Sequence, residues 1–197
     1  LKHKYIYFRN AFPKHLCQNI IKYGLSKGQA HDAVIGDQNR GEVTNHRIRK
    51  SNVDWLEDKW LNIKLFRIIE KANELAGWNF QIDAAEPVQF TIYKPGMHYD
   101  WHEDAFEGAY DRQNIPYLNG KARKLSMSML LSEFNEYKGG EFEVDFGNRK
   151  EPTRTVYEMQ NQGDAIVFPS DLLHKVRPVT HGTRYSLVMW SIGWPFK

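Results

Sequence analysis

The residues with the most chemistry in them are crowded between Tyr93 and Asp104. The run Tyr93-Lys94-Pro95-Gly96-Met97-His98-Tyr99-Asp100-Trp101-His102-Glu103-Asp104 holds two His-x-Asp pairs, His98 with Asp100 and His102 with Asp104. In an extended strand residues two apart project to one side, so either pair could offer an imidazole and a carboxylate to one metal ion. All four positions share parity, and alternation does not choose between the pairs. A further imidazole is available far along the chain, at His174. Two imidazoles and a carboxylate on one face of an octahedron leave three positions open, which suits Fe(II) and dioxygen chemistry. Zinc favours a tetrahedral site with a single open position.

Ten residues after His174 stands Arg184, opening Arg184-Tyr185-Ser186-Leu187-Val188-Met189-Trp190, a run with strand character. An inward-facing arginine would be an unpaired buried charge unless an anion met its planar fork. A dicarboxylate cosubstrate would be such an anion. If alternation holds along this strand, Arg184, Ser186, Val188 and Trp190 share a face.

These motifs stand in a particular order: Tyr-x-x-Gly-x-x-Tyr-x-x-His-x-Asp, then Gly139-Gly140-Glu141-Phe142, then Gly163-Asp164-Ala165-Ile166-Val167-Phe168, then His174 and Arg184. That order resembles the prolyl 4-hydroxylase branch of the 2-oxoglutarate- and Fe(II)-dependent dioxygenases, over about residues 45–192. The family register puts the ligating histidine nine residues after the first tyrosine and three after the second. The resemblance therefore implies His102, Asp104 and His174 as metal ligands, and leaves His98 as a rim residue. It implies Fe(II), 2-oxoglutarate and dioxygen as cofactors, with ascorbate as an accessory reductant. Arg184 would anchor the far carboxylate of 2-oxoglutarate by two charge-assisted hydrogen bonds, with the Tyr93 hydroxyl as a third donor. The implied reaction is hydroxylation, foremost of a proline in a protein or peptide, with succinate and carbon dioxide as coproducts.

The same resemblance suggests three substrate contacts. Arg49 lies in Ile48-Arg49-Lys50-Ser51-Asn52-Val53-Asp54-Trp55, similar to the segment that follows a mobile substrate-covering loop in prolyl hydroxylases. Arg123 matches a basic residue near the substrate, and Trp190 a tryptophan beside the substrate proline; core packing is the plain alternative for Trp190. Collagen-type relatives carry lysine where this chain has Arg184, which turns the expectation away from collagen-like repeats toward a folded protein or an exposed peptide loop. Competing readings are a dioxygenase of a free amino acid or other small molecule, and a jelly-roll binding module without catalysis. Alkylated-nucleobase repair is disfavoured, because Trp190 stands where those relatives carry a second arginine.

The elements that must position these residues read mainly as strands. Val88–Tyr93 alternates into the first motif, and further strands are expected at 125–131, 139–144, 153–157, 165–168, 172–177 and 184–190, separated by turn signals. Such short strands fit two facing sheets in a jelly roll. The expected fold class is mainly β with flanking helices (α+β), built on a double-stranded β-helix (jelly-roll) core. A strand over 4–12, a helix from Pro13 to about Leu25 carrying Cys17, and a helix over 55–76 should support it. In the second helix Leu56, Trp60, Ile63, Phe66, Ile69, Ala72 and Ala76 mark the apolar stripe. The segments 26–49 and 107–121 read as long loops, and Lys121, Arg123 and Lys124 as solvated strand-end charges.

All 197 residues read as a single domain, with about 1–78 supporting a β core over about 79–193. Leu1 in place of methionine points to a trimmed start, and the polar opening lacks the apolar region of a signal peptide. No apolar run approaches a membrane span. Cys17 is the one cysteine, which excludes an intrachain disulfide and any multi-cysteine metal site. A net charge of +3 falls short of the balance expected for nucleic-acid binding. The chain accordingly reads as soluble and cytoplasmic, without nucleic-acid or membrane partners; its oligomeric state is not legible.

Overall fold

The computed structural model describes residues 2–35, 43–106, 108–148 and 151–195. Residues 36–42 of the expected 26–49 loop and Glu107 of the expected 107–121 loop lie outside the described residues. The elements run β1 (Ile6–Phe8), α1 (Lys14–Lys27), β2 (His31–Asp32), β3 (Arg49–Lys50), β4 (Asn52–Leu56), α2 (Lys59–Leu75), β5 (Ala84–Ala85), β6 (Val88–Tyr93) and β7 (His98–His102). They continue as β8 (Ala122–Leu130), β9 (Tyr137–Gly139), β10 (Phe142–Asn148), β11 (Glu151–Thr155), β12 (Ala165–Pro169), β13 (Leu173–Val176), β14 (Val179–Gly182) and β15 (Arg184–Gly193).

The larger sheet has the order β1-β12-β8-β15-β6-β4-β2 with β5 beside β15, the smaller the order β11-β10-β13-β7-β3, and β9 pairs with β14. From β6 onward the chain steps back and forth between the two main sheets. β6, β8, β12 and β15 fall in the larger one, β7, β10 and β13 in the smaller. This is the jelly roll that the strand pattern suggested.

Alternation along each strand sorts side chains into two cores. On one side of the larger sheet, Cys17, Ile20, Leu61, Leu65 and Ile69 of the helices pack against Val88, Phe90, Leu187 and Met189. Between the sheets lie Leu130, Phe142, Val144, Ile166, Phe168 and Val176. Each such side chain contributes about 1.5–3 kcal/mol by burial. On β15 the period of two sends Leu187 and Met189 to the helices, while Arg184, Ser186, Val188 and Trp190 line an inner cavity. None of the described helices is long and apolar enough to cross a membrane.

Several local expectations need correction. The second helix begins at Lys59, not at 55, because Asn52–Leu56 pairs with Ile92–Val88 as β4. Its buried stripe is Leu61, Leu65, Ile69 and Ala72. Trp60 and Ile63, placed on the apolar face by spacing, are each 45% exposed, because Leu56, which seemed to start their stripe, belongs to a strand. The 26–49 segment is not structureless: His31–Asp32 pairs with β4, Ile35 bridges to Val43, and Arg49–Lys50 pairs with β7. The first strand is only Ile6–Phe8, since Asn10 adopts a positive φ of 49° that breaks it. Nor are the strand-end charges solvated. Arg123 pairs with Glu86, Lys124 is 3% exposed, and Lys121 is paired with Asp83 and lies 4.4 Å over the Trp194 ring.

Candidate metal centre and its cleft

Strand pairing decides which His-x-Asp pair faces inward. His174 of β13 lies opposite His102, while Val176, two residues on, lies opposite Tyr99, three residues back. One extra residue in β7 is therefore accommodated as a bulge, and the bulge reverses side-chain parity between Tyr99 and His102. The alternation assumed across 98–104 fails at this point. His98 stays on the outer side, its ring nitrogens near the carbonyl oxygens of Gly96 and Arg47 at 3.4 and 3.2 Å. Asp100 is exposed and its carboxylate accepts from the Trp101 backbone N–H. His102 and Asp104 turn inward.

There they meet His174. One ligand atom from each of His102, Asp104 and His174 lies within 4.8 Å of the others, a spacing that could hold a metal ion. The hydrogen bonds behind the rings fix the tautomers. Nδ1 of His102 donates to the Asp100 carbonyl oxygen at 2.7 Å, and Nδ1 of His174 to the Leu172 carbonyl oxygen at 2.8 Å. A carbonyl only accepts, so each Nδ1 carries the proton and each Nε2 keeps a free lone pair. Those lone pairs face the Asp104 carboxylate at 3.8 and 3.6 Å. Lone pairs aimed at an anion are repulsive unless a cation lies between them, so the donor set fits a divalent metal.

The electrostatics point the same way. Burial, reinforced by neighbouring His174, pushes the His102 imidazole down to about 3, so it is neutral and ready to ligate near pH 7. For Asp104, burial would favour the neutral acid, but opposing attractions, that of the permanently charged Arg123 among them, hold the carboxyl below its usual range. Phe142 and Phe168 pack against the His174 ring at 5.4 and 4.7 Å between centroids.

Arg184 lies deeper in the same cavity and is 2% exposed. One terminal nitrogen donates to Ser186 Oγ at 3.2 Å, and Nε has no hydrogen-bond partner. Among the described residues no carboxylate pairs with it. Gly140 makes room for its stem: a Cβ there would come within 2.8 Å of Arg184 Cδ. The Arg184 guanidinium carbon is 5.6 Å from the centre of the Tyr93 ring. Burial raises the Tyr93 hydroxyl above its ordinary range, against the lowering pull of Arg49 and Arg184, so the phenol keeps its proton and can donate. A buried guanidinium without an acid, beside a protonated phenol, fits the carboxylate of a bound diacid.

A model of the 2OG-Fe(II) oxygenase superfamily matches residues 88–192, the stretch from the first core strand through β15. The chain belongs to that superfamily. Membership brings Fe(II), 2-oxoglutarate and dioxygen as cofactors, in agreement with the donor set and the unpaired arginine. Among curated relatives, a PKHD-type hydroxylase of Sphingopyxis alaskensis is 35% identical over 150 residues, covering 73% of this chain and 62% of its own. Another from Janthinobacterium sp. is 36% identical over 126 residues, 59% of this chain and 50% of its own. The chain thus spans between half and two thirds of the length of these two relatives.

Solved structures agree on the fold. A Pseudomonas putida prolyl-4-hydroxylase superposes with a TM-score of 0.69 at 18% identity, covering 96% of this chain and 92% of its own. A Trichoplax adhaerens prolyl hydroxylase, in complex with a hypoxia inducible factor oxygen degradation domain peptide fragment, gives 0.70 at 17% identity over 95% and 83%.

In this superfamily member the inner cavity opens into an outer cleft of about 420 Å3. Arg49, Arg123 and Trp190, the three expected substrate contacts, all line that cleft. Arg49 is 7% exposed and donates to Gln89 Oε1 at 2.7 Å and Ser51 Oγ at 3.2 Å. Arg123 is gripped from behind by Glu86, whose two oxygens accept at 2.6 and 2.7 Å, and lies 3.9 Å over the Trp190 ring and 4.5 Å from that of Phe106. Trp190 is 5% exposed; its indole Nε1 has no well-formed hydrogen bond although the group helps to hold Asp104 ionised.

Glu86, Gln89 and Tyr110 were invisible to sequence reasoning. Tyr110, in the 107–121 loop, donates to Glu86 at 2.5 Å and so fastens that loop beneath the cleft. No motif marks these residues, and the contacts join positions 24 to 40 residues apart. Tyr99, which the sequence marks only through its spacing from His102, stacks directly on that ring.

Proposed function

We propose that this protein is a 2-oxoglutarate- and Fe(II)-dependent hydroxylase whose substrate is a proline in a protein or peptide. The observation that carries the reading is the convergence of His102, Asp104 and His174 beside Arg184, a buried cation with no acid of its own. In this reading the three ligands hold Fe(II), Arg184 and Tyr93 take the far carboxylate of 2-oxoglutarate, and Arg49, Arg123 and Trp190 meet the substrate. The metal and diacid supply the oxidising chemistry when bound, and the protein supplies placement and exclusion of water.

The substrate class is supported by the cleft. It is open, with Trp55, Trp101, Phe106 and Trp190 beside charged Arg49, Glu103 and Arg123, where a free amino acid would call for a compact pocket. Aromatic faces accept a pyrrolidine ring by dispersion contact. The prolyl hydroxylase names of two solved neighbours, and the peptide carried by one of them, point in the same direction. We place the reaction in the reducing cytoplasm, in keeping with the single free thiol of Cys17.

Incubation with Fe(II), 2-oxoglutarate and a proline-bearing peptide library tests this reading. Succinate release and one added oxygen on proline are expected by mass spectrometry, with both lost in His174→Ala. An oxygen on lysine or asparagine would overturn the prolyl assignment alone. Absence of succinate with every peptide and with cell lysate would overturn the reaction.

A further inference from the structure

The bulge in β7 does more than turn His102 inward. Residues three apart in a regular strand point to opposite faces, yet Tyr99 and His102 are stacked, with centroids 3.3 Å apart and planes 10° from parallel. On the other side of the stack, the Arg49 guanidinium carbon lies 4.5 Å from the centre of the Tyr99 ring. Arg49 is brought there by strand pairing, since it stands opposite Tyr99 in the β3–β7 ladder. Its guanidinium is then fixed by Gln89, by Ser51 and by the Val34 carbonyl oxygen at 3.4 Å. Guanidinium, phenol and imidazole thus form three layers, and the Nε2 lone pair of the last points in its ring plane toward Asp104.

An imidazole tied only through Nδ1 to a backbone carbonyl can still swing about that bond. A flat ring pressed on one face removes the freedom, while His174, its centroid 4.1 Å away and its plane tilted by 53°, limits it on another side. We propose that Tyr99 and Arg49 are positioning residues that hold His102 Nε2 toward the metal and tie its orientation to the cleft wall at Val34. The proposal rests on the metal reading of His102, Asp104 and His174. It concerns the ring of Tyr99, not its hydroxyl, and the planarity of Arg49 as well as its charge. Tyr99→Phe should therefore be silent where Tyr99→Leu is not, and Arg49→Lys should fail to replace Arg49, because an ammonium does not stack.

The test is Mn2+ affinity of the whole protein, followed by the fluorescence of the cleft tryptophans, with thermal unfolding as a check on folding. Loss of support behind a ligating histidine typically weakens metal binding 10- to 100-fold. Tyr99→Leu and Arg49→Met are expected to weaken Mn2+ by about 10-fold or more, and Tyr99→Phe by less than about 2-fold. Parent-like affinity in a folded Tyr99→Leu would overturn the positioning role. Equal weakening in Tyr99→Phe and Tyr99→Leu would assign the effect to the hydroxyl and overturn it as well. A parent protein that takes up neither Mn2+ nor Fe2+ would instead overturn the metal reading.

The tie to the cleft wall has its own readout in amide hydrogen exchange at Ile35 and Val43, whose backbones bond each other at 2.9 and 2.8 Å. Mn2+ is expected to slow exchange there in the parent and not in Arg49→Met. Metal-independent exchange in a parent that binds Mn2+ would remove the coupling while leaving the stack.

Discussion

Replacing Arg184 with methionine should move two properties in opposite directions. The side chain is 2% exposed, its Nε has no partner, and among the described residues its hydrogen bond is a 3.2 Å contact to the neutral Ser186. An unsatisfied buried donor costs about 1–3 kcal/mol, and exchanging a buried charge for an apolar group of similar shape is often neutral or stabilising. Methionine can follow the path that Gly140 leaves open for the arginine stem. Arg184→Met should therefore raise the ligand-free Tm by roughly 2–12 °C, at about 2–4 °C per kcal/mol for a domain of this size.

Binding should change the other way. Truncating one partner of a buried charge pair costs about 2–5 kcal/mol, which corresponds to roughly a 30- to 4,000-fold loss of 2-oxoglutarate affinity. Differential scanning fluorimetry with Mn2+, with and without 2-oxoglutarate, reads both effects at once. At about 100 times Kd the diacid should stabilise the parent by about 2.7 kcal/mol, a shift that should fall below about 1 kcal/mol in the variant. A variant that loses stability yet keeps the 2-oxoglutarate shift would refute the assignment of Arg184 as an uncompensated cation awaiting a carboxylate.

Three further predictions concern the ligands and their scaffold. His98→Ala and Asp100→Ala, whose side chains do not line the cavity, should change Mn2+ affinity by less than about 2-fold, whereas His102→Ala should lose it by 10-fold or more; a large effect at His98 would restore the alternative pair. Because burial lowers the folded pKa of His102 to about 3, below its value of 6.5 in the unfolded chain, the unfolded state binds the extra proton between those two pH values. Its contribution is present above pH 6.5 and is lost as pH falls toward 3, by up to a few kcal/mol, so urea midpoints of the metal-free protein should fall in that window and fall less in His102→Gln. Gly163 has a φ of 86°, and a Cβ there would run into the Phe12 carbonyl oxygen, so Gly163→Ala should lower stability by several kcal/mol in a denaturant titration; a loss under about 1 kcal/mol would show that the β1–α1 connection yields easily.

How much of this was legible beforehand depended on whether the information was local. The jelly-roll pattern is carried by period-two alternation and turn residues within each strand, and β15 displays it directly, with Arg184, Ser186, Val188 and Trp190 on one face. His102, Asp104, His174 and Arg184 could be named because their types and order along the chain are unusual, and the structure brings all four to one cavity. The helix drawn through Leu56, Trp60 and Ile63 went wrong for a reason of the same kind. A three- and four-residue spacing ran across a boundary that only pairing with β6 defines, and ladder hydrogen bonds outweighed helical periodicity at Asn52–Leu56.

The chain alone determined which chemical groups are available, their order, and the apolar periods that build two facing sheets. Tertiary structure decided which of two identical His-x-Asp pairs turns inward, because the bulge in β7 exists only in register with β13. It also decided that Arg123 is held by Glu86 and Tyr110 and that Arg49 stacks on Tyr99. Parity within a strand is a local property of the backbone. An extra residue in a ladder, or a charge met by a partner dozens of residues away, is settled by what the neighbouring strand offers; within Tyr93 to Asp104 only the resemblance in tyrosine spacing, and not side-chain alternation, told the two pairs apart.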